Sequence, residues 1–226
     1  MRTDAESLIV HLDEALAVVD KPAGLVVHPA PSHKGETLVD LLKGIGGGWE
    51  SGRPGIVHRL DKDTSGLMLV ARNEEAHRDL QAQIKAREAK REYLALVEGA
   101  MESRSGTIDA PLGRHRRQRT RMAVRGSGQR EALTHFEVIE ELPADTLVRA
   151  RLETGRTHQI RVHFAAIDHP VAGDPEYGTK GRLGLERQFL HSARLGFRHP
   201  VSGEPMSFQS ELPEDLSAAL ARARTG

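Results

Sequence analysis

Residues 53–72 read RPGIVHRLDKDTSGLMLVAR. They open with turn residues, gather charged and titratable side chains between His58 and Asp63, and end in an apolar run from Leu67 to Ala71. So short a run is typical of a buried strand, which predicts a reactive loop beside a rigid strand. Loops placed in this way commonly carry functional side chains. The carboxylate of Asp61 is the candidate reacting group.

Length and composition limit the class of protein to which this loop can belong. A chain of 226 residues can bury a full core, as one large domain or as two closely joined lobes. Its 38% apolar and 28% charged residues exclude an intrinsically disordered protein. Lys and Arg together number 32, as do Asp and Glu, so only the distribution of charge can indicate a nucleic-acid partner.

Cysteine is absent from the chain, which excludes disulfides and thiolate metal sites and fits a reducing compartment. No leader-like segment and no apolar run of membrane-spanning length is present. We therefore expect a cytoplasmic protein without membrane contact.

Hydrophobic spacing predicts many hairpins and few helices. The predicted strands are residues 8–10, 16–19, 25–27, 67–71, 91–98, 133–139, 147–152, 189–197 and 206–209, and the helices begin near residues 38, 73, 157 and 213. Asn73 is expected to start the second helix and Thr157 to cap the third. Trp49 is expected in the core or in a lid. This order does not suit a repeated βαβ fold, so it predicts an α+β protein.

Residues 113–130 form a basic segment. They include seven arginines and no acidic residue: Arg114, Arg116, Arg117, Arg119, Arg121, Arg125 and Arg130. Such a run can be merely a solvated surface. In a chain without net charge, however, a cluster of guanidinium groups favours contact with the phosphates of RNA or DNA.

A second set of polar residues lies at 153–164, ETGRTHQIRVHF. A predicted helix N-terminus beside Arg156 attracts anions. One turn inside the helix, Arg161 could reach a carboxylate on another loop, although its spacing fits a surface arginine equally well. Tyr93 lies on the predicted strand 91–98, where strand propensity alone would explain it.

Residues 58–67, HRLDKDTSGL, resemble the signature of the RluA-type pseudouridine synthases, which isomerise uridine in ribosomal or transfer RNA. Four further segments resemble motifs of that family in the expected order: DKPAGLVVHP at 20–29, KREY at 90–93, GRTHQIRVH at 155–163 with GDP at 173–175, and LHS at 190–192 with HP at 199–200. Five motifs in order, spread over nearly the whole chain, are far more specific than any one of them.

The resemblance implies a pseudouridine synthase fold of the α+β class, with a mixed, mostly antiparallel central sheet, flanking helices and a cleft between two subdomains. We expect residues 1–226 to form a single catalytic domain. Many relatives carry an N-terminal S4-like RNA-binding module, whereas only about twenty residues precede the first motif here. The expected partner is an rRNA or tRNA stem-loop, bound by a monomer without a protein partner.

The resemblance also implies roles for single residues, and the reaction that it implies requires neither a cofactor nor a metal. Asp61 would act as a nucleophile on the ribose or as a base that removes a sugar proton, and the sequence leaves both open. Arg161 would pair with Asp61 and hold it ionised. Tyr93 would stack on the uracil.

Other residues would contact the RNA. Arg59 would fill the stack vacated when the target uridine flips out, Lys62 would contact phosphate, and His58 would brace the loop. The full set of expected RNA-binding residues is Arg59, Lys62, Arg116, Arg117, Arg119 and Arg156.

Two other classes of function remain open. A metal-dependent phosphodiesterase could use Asp61, Asp63 and His58 with His158 or His163, but no compact ligand motif is present and cationic neighbours oppose metal binding. A non-catalytic RNA-binding protein or chaperone would need only the basic segment.

Overall fold

The computed structural model of the protein describes residues 5–29, 34–43, 55–118 and 121–226. Trp49 and Arg119 lie outside the described residues. Within these ranges the elements are β1 (Ile9–Leu12), β2 (Leu16–Lys21), α1 (Leu38–Lys43), β3 (Gly55–Ile56), β4 (Ser65–Ala71), α2 (Glu74–Lys85), β5 (Lys90–Glu98), β6 (Ser105–Asp109), β7 (Leu112–Arg114), β8 (Met122–Val124), β9 (Ser127–Arg130), β10 (Leu133–Glu141), β11 (Asp145–Leu152), α3 (Gln159–Ala166), β12 (Leu190–Arg198), β13 (Pro205–Gln209) and α4 (Glu214–Thr225).

The chain forms two compact units. The first unit comprises Met1–Lys90 and Ser192–Ser210, and the second comprises Arg91–His191 and Glu211–Gly226. Antiparallel pairing predominates in both units. The fold is therefore α+β, with mostly antiparallel sheet and few helices, which confirms the expected fold class.

In the first unit the strand order is β1-β2-β4-β12, with β3 beside β4 and β13 beside β12. Every residue of β4 is buried, as the apolar run predicts. Helix α2 packs Ala76 and Leu80 into the same apolar cluster as Leu67 and Leu69 of β4. It begins where predicted, since the Asn73 side chain accepts a hydrogen bond from the Ala76 amide at 2.8 Å. A rigid layer thus supports the loop that precedes β4.

The start of β4 needs a glycine because β12 approaches it very closely. Gly66 has a φ of +109°, and a Cβ at this position would lie 2.3 Å from the Ser192 carbonyl oxygen. The Ser192 hydroxyl also donates to the Leu67 carbonyl at 3.0 Å. Gly66 and the Ser192 hydroxyl therefore fix where the loop with Asp61 joins the sheet.

The prediction of a strand at residues 25–27 is wrong, and the segment is a loop. Its carbonyl groups are occupied elsewhere. The buried Lys21 ammonium donates a hydrogen bond to the Leu25 carbonyl at 3.0 Å. The amides of Leu38 and Val39, at the start of α1, donate to the carbonyls of Val26 and Val27 at 2.8 and 3.2 Å, respectively. Because the carbonyls of residues 25–27 accept hydrogen bonds from a lysine and from the start of a helix, they do not pair with a neighbouring strand.

In the second unit the strand order is β5-β11-β10-β6, and a separate small sheet has the order β8-β7-β9. The predicted hairpin of β10 and β11 is confirmed, with Phe136 opposite Ala150. The small sheet, which was not predicted, orders the described residues between 112 and 130, and its Leu112 packs in one apolar cluster with Val162 of α3. The basic segment is therefore seated on the helix that carries Arg161.

The prediction that Thr157 caps α3 is also wrong. The residue that precedes the helix is His158, in the left-handed conformation with φ of 56°, and its side chain makes no capping hydrogen bond. The side chain of Gln159 folds back instead, so that its oxygen accepts from the Arg156 amide at 3.0 Å and from the Thr154 hydroxyl at 2.8 Å. The first residue of the helix, a buried glutamine, thus orders the chain that enters it.

Candidate active site

The loop with Asp61 is a tight turn between two fixed points. The Thr64 amide donates to the Asp61 carbonyl at 3.1 Å, with Lys62 and Asp63 at the corners of the turn. Upstream, Nε2 of His58 accepts a hydrogen bond from the Leu69 amide of β4 at 3.0 Å. This contact confirms His58 as a brace of the loop.

A buried cation holds the same loop from the side. Lys21 is fully buried, and its ammonium donates to the carbonyls of Pro22 at 2.8 Å, Leu25 at 3.0 Å and Lys62 at 2.9 Å. The Gly24 amide also donates to the Lys62 carbonyl at 3.0 Å. Sequence reasoning assigned no role to Lys21, although its place in the KPAG motif was a signal. It fixes the backbone directly after Asp61.

The side chains of this loop differ in exposure. Arg59 and Lys62 are exposed, whereas Asp61 is partly buried and Leu60 and Thr64 are buried. The loop therefore offers cations to solvent on either side of a carboxylate that is partly shielded from it. This arrangement suits a reacting acid flanked by groups that attract a polyanion.

In the second unit, Arg161 lies in a buried ion pair. Its Nε and Nη2 donate to the two carboxylate oxygens of Asp174 at 2.6 and 2.8 Å, and Nη2 also reaches Oε2 of Glu176 at 3.0 Å. Arg161 is thus a buried residue and not a surface arginine. The pairing of Arg161 with Asp61 implied by the resemblance stays a prediction.

Tyr93 lies on β5, opposite Ala150 of β11, and is only 4% exposed. Ala95 and Val97 of the same strand are buried with it, as the alternation predicts. The tyrosine is therefore held among its neighbours in the second unit, and its stacking on uracil stays a prediction.

Sequence reasoning missed Arg91, two residues before Tyr93 and 4% exposed. Its Nη2 lies 3.5 Å from the carbonyl oxygens of Leu152 and Glu153, and within the described residues its buried Nε has no hydrogen-bond partner. A Cβ at Gly155 would lie 2.9 Å from Nη1, so the glycine leaves room for the guanidinium. Arg91 thereby links the strand of Tyr93 to the chain that enters α3.

Two other polar residues near α3 have structural partners. Burial, together with the neighbouring Arg130, lowers the pKa of Arg156, whose Nε donates to the Glu131 carbonyl at 2.9 Å. Burial also lowers the pKa of His163, which keeps this imidazole neutral. Its Nε2 donates to the Ala110 carbonyl at 3.0 Å, and its Nδ1 accepts from the Thr134 hydroxyl at 2.9 Å. With both nitrogens engaged, His163 is a core residue and a poor metal ligand.

The basic segment presents its guanidinium groups to solvent. The exposed arginines among its described residues are Arg114, Arg116, Arg117, Arg125 and Arg130. Since apolar residues of the small sheet face α3, the arginines can reach a polyanion without disturbing the core.

Among the described residues, no helix combines the length and the apolar character needed to cross a membrane. In the same parts of the chain, no group of three or more His, Cys, Asp and Glu side chains could hold a metal ion.

Comparison with known proteins places this chain in a family. A sequence model of the family described as RNA pseudouridylate synthase matches residues 15–166. An uncharacterised RNA pseudouridine synthase of Bacillus subtilis, YlyB, is 47% identical, over 96% of this chain and 72% of that protein. The ribosomal large subunit pseudouridine synthase D of Pseudomonas aeruginosa is also 47% identical, over 98% of this chain and 73% of that protein.

The solved structures agree. Human RNA pseudouridylate synthase domain containing 4 has a TM-score of 0.75 and 27% identity, and the match covers 97% of this chain and 95% of that chain. Human RNA pseudouridylate synthase domain containing 1 has a TM-score of 0.73 and 28% identity, with coverages of 94% and 86%. By sequence and by fold, the chain belongs to the RNA pseudouridylate synthase family, whose members are isomerases that convert uridine in RNA to pseudouridine.

Proposed function

We propose that the protein isomerises specific uridines of ribosomal large-subunit RNA in the cytoplasm, with Asp61 as the reacting carboxylate. The observation that carries this proposal is the construction of the Asp61 loop. A partly buried carboxylate stands on a turn whose backbone is held by a fully buried lysine and by the His58 brace. Such rigidity is typical of a group that must meet a reacting atom in one orientation.

The reaction needs little beyond this carboxylate and a binding pocket. The bond between N1 of uracil and C1′ of the ribose breaks, the uracil turns in place, and a bond forms between C5 and C1′. The proton leaves C5, and N1 regains one, so the product has the same atoms as the substrate. In one route Asp61 attacks C1′ and is displaced when C5 bonds to C1′. In the other route Asp61 removes a sugar proton and later returns that proton to the sugar.

Arg161 and Tyr93 serve the same reaction in this proposal. The guanidinium of Arg161 favours the ionised form of the reacting carboxylate. The ring of Tyr93 stacks on uracil and so retains the free base between bond breaking and bond formation. The burial of both side chains supports fixed positions for them.

The RNA must expose its uridine before reaction. Flipping a stacked nucleotide costs a few kcal/mol. We assign the replacement of the lost stack to the exposed Arg59, and the phosphate contacts to Lys62, Arg156 and the basic segment. Arg114 and Arg130 lie on strands of the small folded sheet, and the loops between its strands carry Arg116, Arg117 and Arg125, which supports a role in orienting the RNA backbone.

Ribosomal large-subunit RNA is favoured over tRNA because several relatives at 46 to 48% identity are named ribosomal large subunit pseudouridine synthase D. The test is to incubate the purified protein with total RNA from a strain that lacks it and to map new pseudouridines by chemical tagging. We expect new sites in large-subunit rRNA. New sites in tRNA alone would overturn the substrate assignment, and no new site at all would favour a non-catalytic RNA-binding protein.

A further inference from the structure

Tyr177 lies where the small sheet meets α3. The residue is half-buried and packs, with Met122 and Val124 of β8, against a cluster formed by Leu112, Ala132 and Val162. It belongs to the turn that follows Asp174, and neither spacing nor composition gave it a role. Its two ends contact different parts of the unit.

The hydroxyl of Tyr177 joins the basic segment to the helix start. It accepts a hydrogen bond from the Met122 amide at 2.9 Å and lies 2.9 Å from Nδ1 of His158. Burial raises the pKa of Tyr177, so the phenol keeps its proton in the physiological range. One group therefore ties the first residue of β8 to the residue that precedes α3.

The ring of Tyr177 contacts two guanidinium groups. The guanidinium carbon of Arg161 lies 5.1 Å from the ring centroid, and that of Arg121 lies 4.9 Å from it. Both distances are within the range of a cation–π interaction. The neighbouring Glu176 accepts from Nη2 of Arg161 at 3.0 Å and lies 3.2 Å from Nδ1 of His158. The same turn thus holds Arg161 through a ring and a carboxylate.

We propose that Tyr177 is a positioning residue with two separable parts: its hydroxyl holds β8, the apolar strand within the basic segment, against α3, and its ring holds the guanidinium of Arg161. This inference rests on the proposed function, in which the basic segment contacts RNA and Arg161 serves the chemistry. The side chain of Tyr177 would thus position both the basic segment, which contacts the RNA, and Arg161, which assists the reaction.

The two parts are tested with Tyr177→Phe and Tyr177→Leu in steady-state assays of pseudouridine formation. The phenylalanine keeps the ring and loses the hydroxyl, so we expect KM for RNA to rise about five- to tenfold while kcat stays within about twofold of the wild type. The leucine loses the ring as well, so we expect kcat to fall about tenfold or more in addition.

Val162→Ala is the control, because Val162 lies in the same apolar cluster and makes none of the polar contacts of Tyr177. It should lower the melting temperature without the split between KM and kcat. The two-part role is overturned if Val162→Ala also raises KM without lowering kcat. It is equally overturned if Tyr177→Phe and Tyr177→Leu change KM by the same factor and kcat by the same factor.

Two further measurements do not depend on catalysis and so separate this inference from the proposed function. Hydrogen exchange at the Met122 amide should quicken in both variants, and the Nε–H resonance of Arg161 should lose its ring-current shift only in Tyr177→Leu. Unchanged exchange and an unchanged resonance would overturn the positioning role even in an active enzyme. A wild-type protein that forms no pseudouridine would instead overturn the proposed function, with the positioning role decided by these spectra.

Discussion

Arg161 and Asp174 form a bidentate ion pair in which Nε–Oδ2 is 2.6 Å and Nη2–Oδ1 is 2.8 Å, with side-chain exposures of 5% and 0%. Asp174 also accepts hydrogen bonds from the amides of Glu176 at 2.9 Å and Tyr177 at 3.2 Å. The carboxylate therefore orders its own turn and aims the arginine at once. A buried pair of this kind is costly to break, because the partner left behind remains a buried charge.

Removing one partner of this pair should destabilise the protein strongly. We expect Asp174→Ala to lower the free energy of unfolding by about 3 to 5 kcal/mol, since Arg161 is left buried and unneutralised by its main partner. Arg161→Ala should cost a similar amount and also reduce turnover. Denaturant unfolding followed by circular dichroism measures both.

The exposed pair of Arg198 and Glu88 is the matched control. Its Nη2–Oε2 distance is also 2.6 Å, but its side chains are 61% and 47% exposed. Glu88→Ala should therefore cost no more than about 1 kcal/mol. Equal losses in Asp174→Ala and Glu88→Ala would show that burial does not determine the strength of the Arg161 pair.

Lys21→Met should destabilise the Asp61 loop, because the carbonyls of Pro22, Leu25 and Lys62 lose a buried charged donor. Hydrogen bonds to charged groups contribute about 1.5 to 3 kcal/mol, and we expect a loss of at least that size. Turnover should fall with it, while RNA affinity changes little.

Lys62→Met makes the same substitution on the same loop at an exposed side chain. We expect its melting temperature to match that of the wild type, while its RNA affinity falls. A Lys21→Met protein as stable as Lys62→Met would contradict the role given to the buried ammonium.

Sequence reasoning succeeded where local pattern and tertiary structure agree. The apolar run after Gly66 predicted a strand, and β4 is buried at every position. Asn73 followed by two glutamates predicted a helix start, and its side chain caps α2. The motif residues also located Asp61 on a turn beside this strand. Each of these features depends on neighbours within a few positions in the chain.

It failed where distant groups decide the structure. Residues 25–27 have the composition of a strand, but their carbonyls bind Lys21 and the start of α1. The partner of Arg161 lies thirteen residues further along the chain, as the separation in the Arg161 to Asp174 contact shows. The strands of the small sheet have three or four residues each, too few to give a periodic pattern. Apart from the place of Lys21 in the KPAG motif, hydrophobic spacing and turn chemistry give no local indication of these contacts.

The basic segment should supply part of the affinity for RNA. Each phosphate neutralised on a single strand contributes about 0.7 to the slope of log affinity against log salt, so Arg116→Ala with Arg117→Ala should flatten that slope by roughly 1.4. Turnover at saturating RNA should persist, because these exposed side chains position the backbone and do not take part in the bond changes. Fluorescence anisotropy with labelled RNA at several salt concentrations measures the slope.

If the double variant binds RNA with the same affinity and the same salt slope as the wild type, the segment is only a solvated surface. The contribution of Arg59 and Arg156 would then have to account for the grip on RNA.

The central claim is that the Asp61 carboxylate reacts with the flipped uridine. Asp61→Asn keeps the size and shape of the side chain but removes the nucleophile or base. The most direct measurement is single-turnover formation of pseudouridine at the sites mapped for the wild type, with RNA affinity measured in parallel. We predict no detectable product and an affinity within a few fold of the wild type. Product formed by the asparagine variant at the wild-type rate would contradict the account.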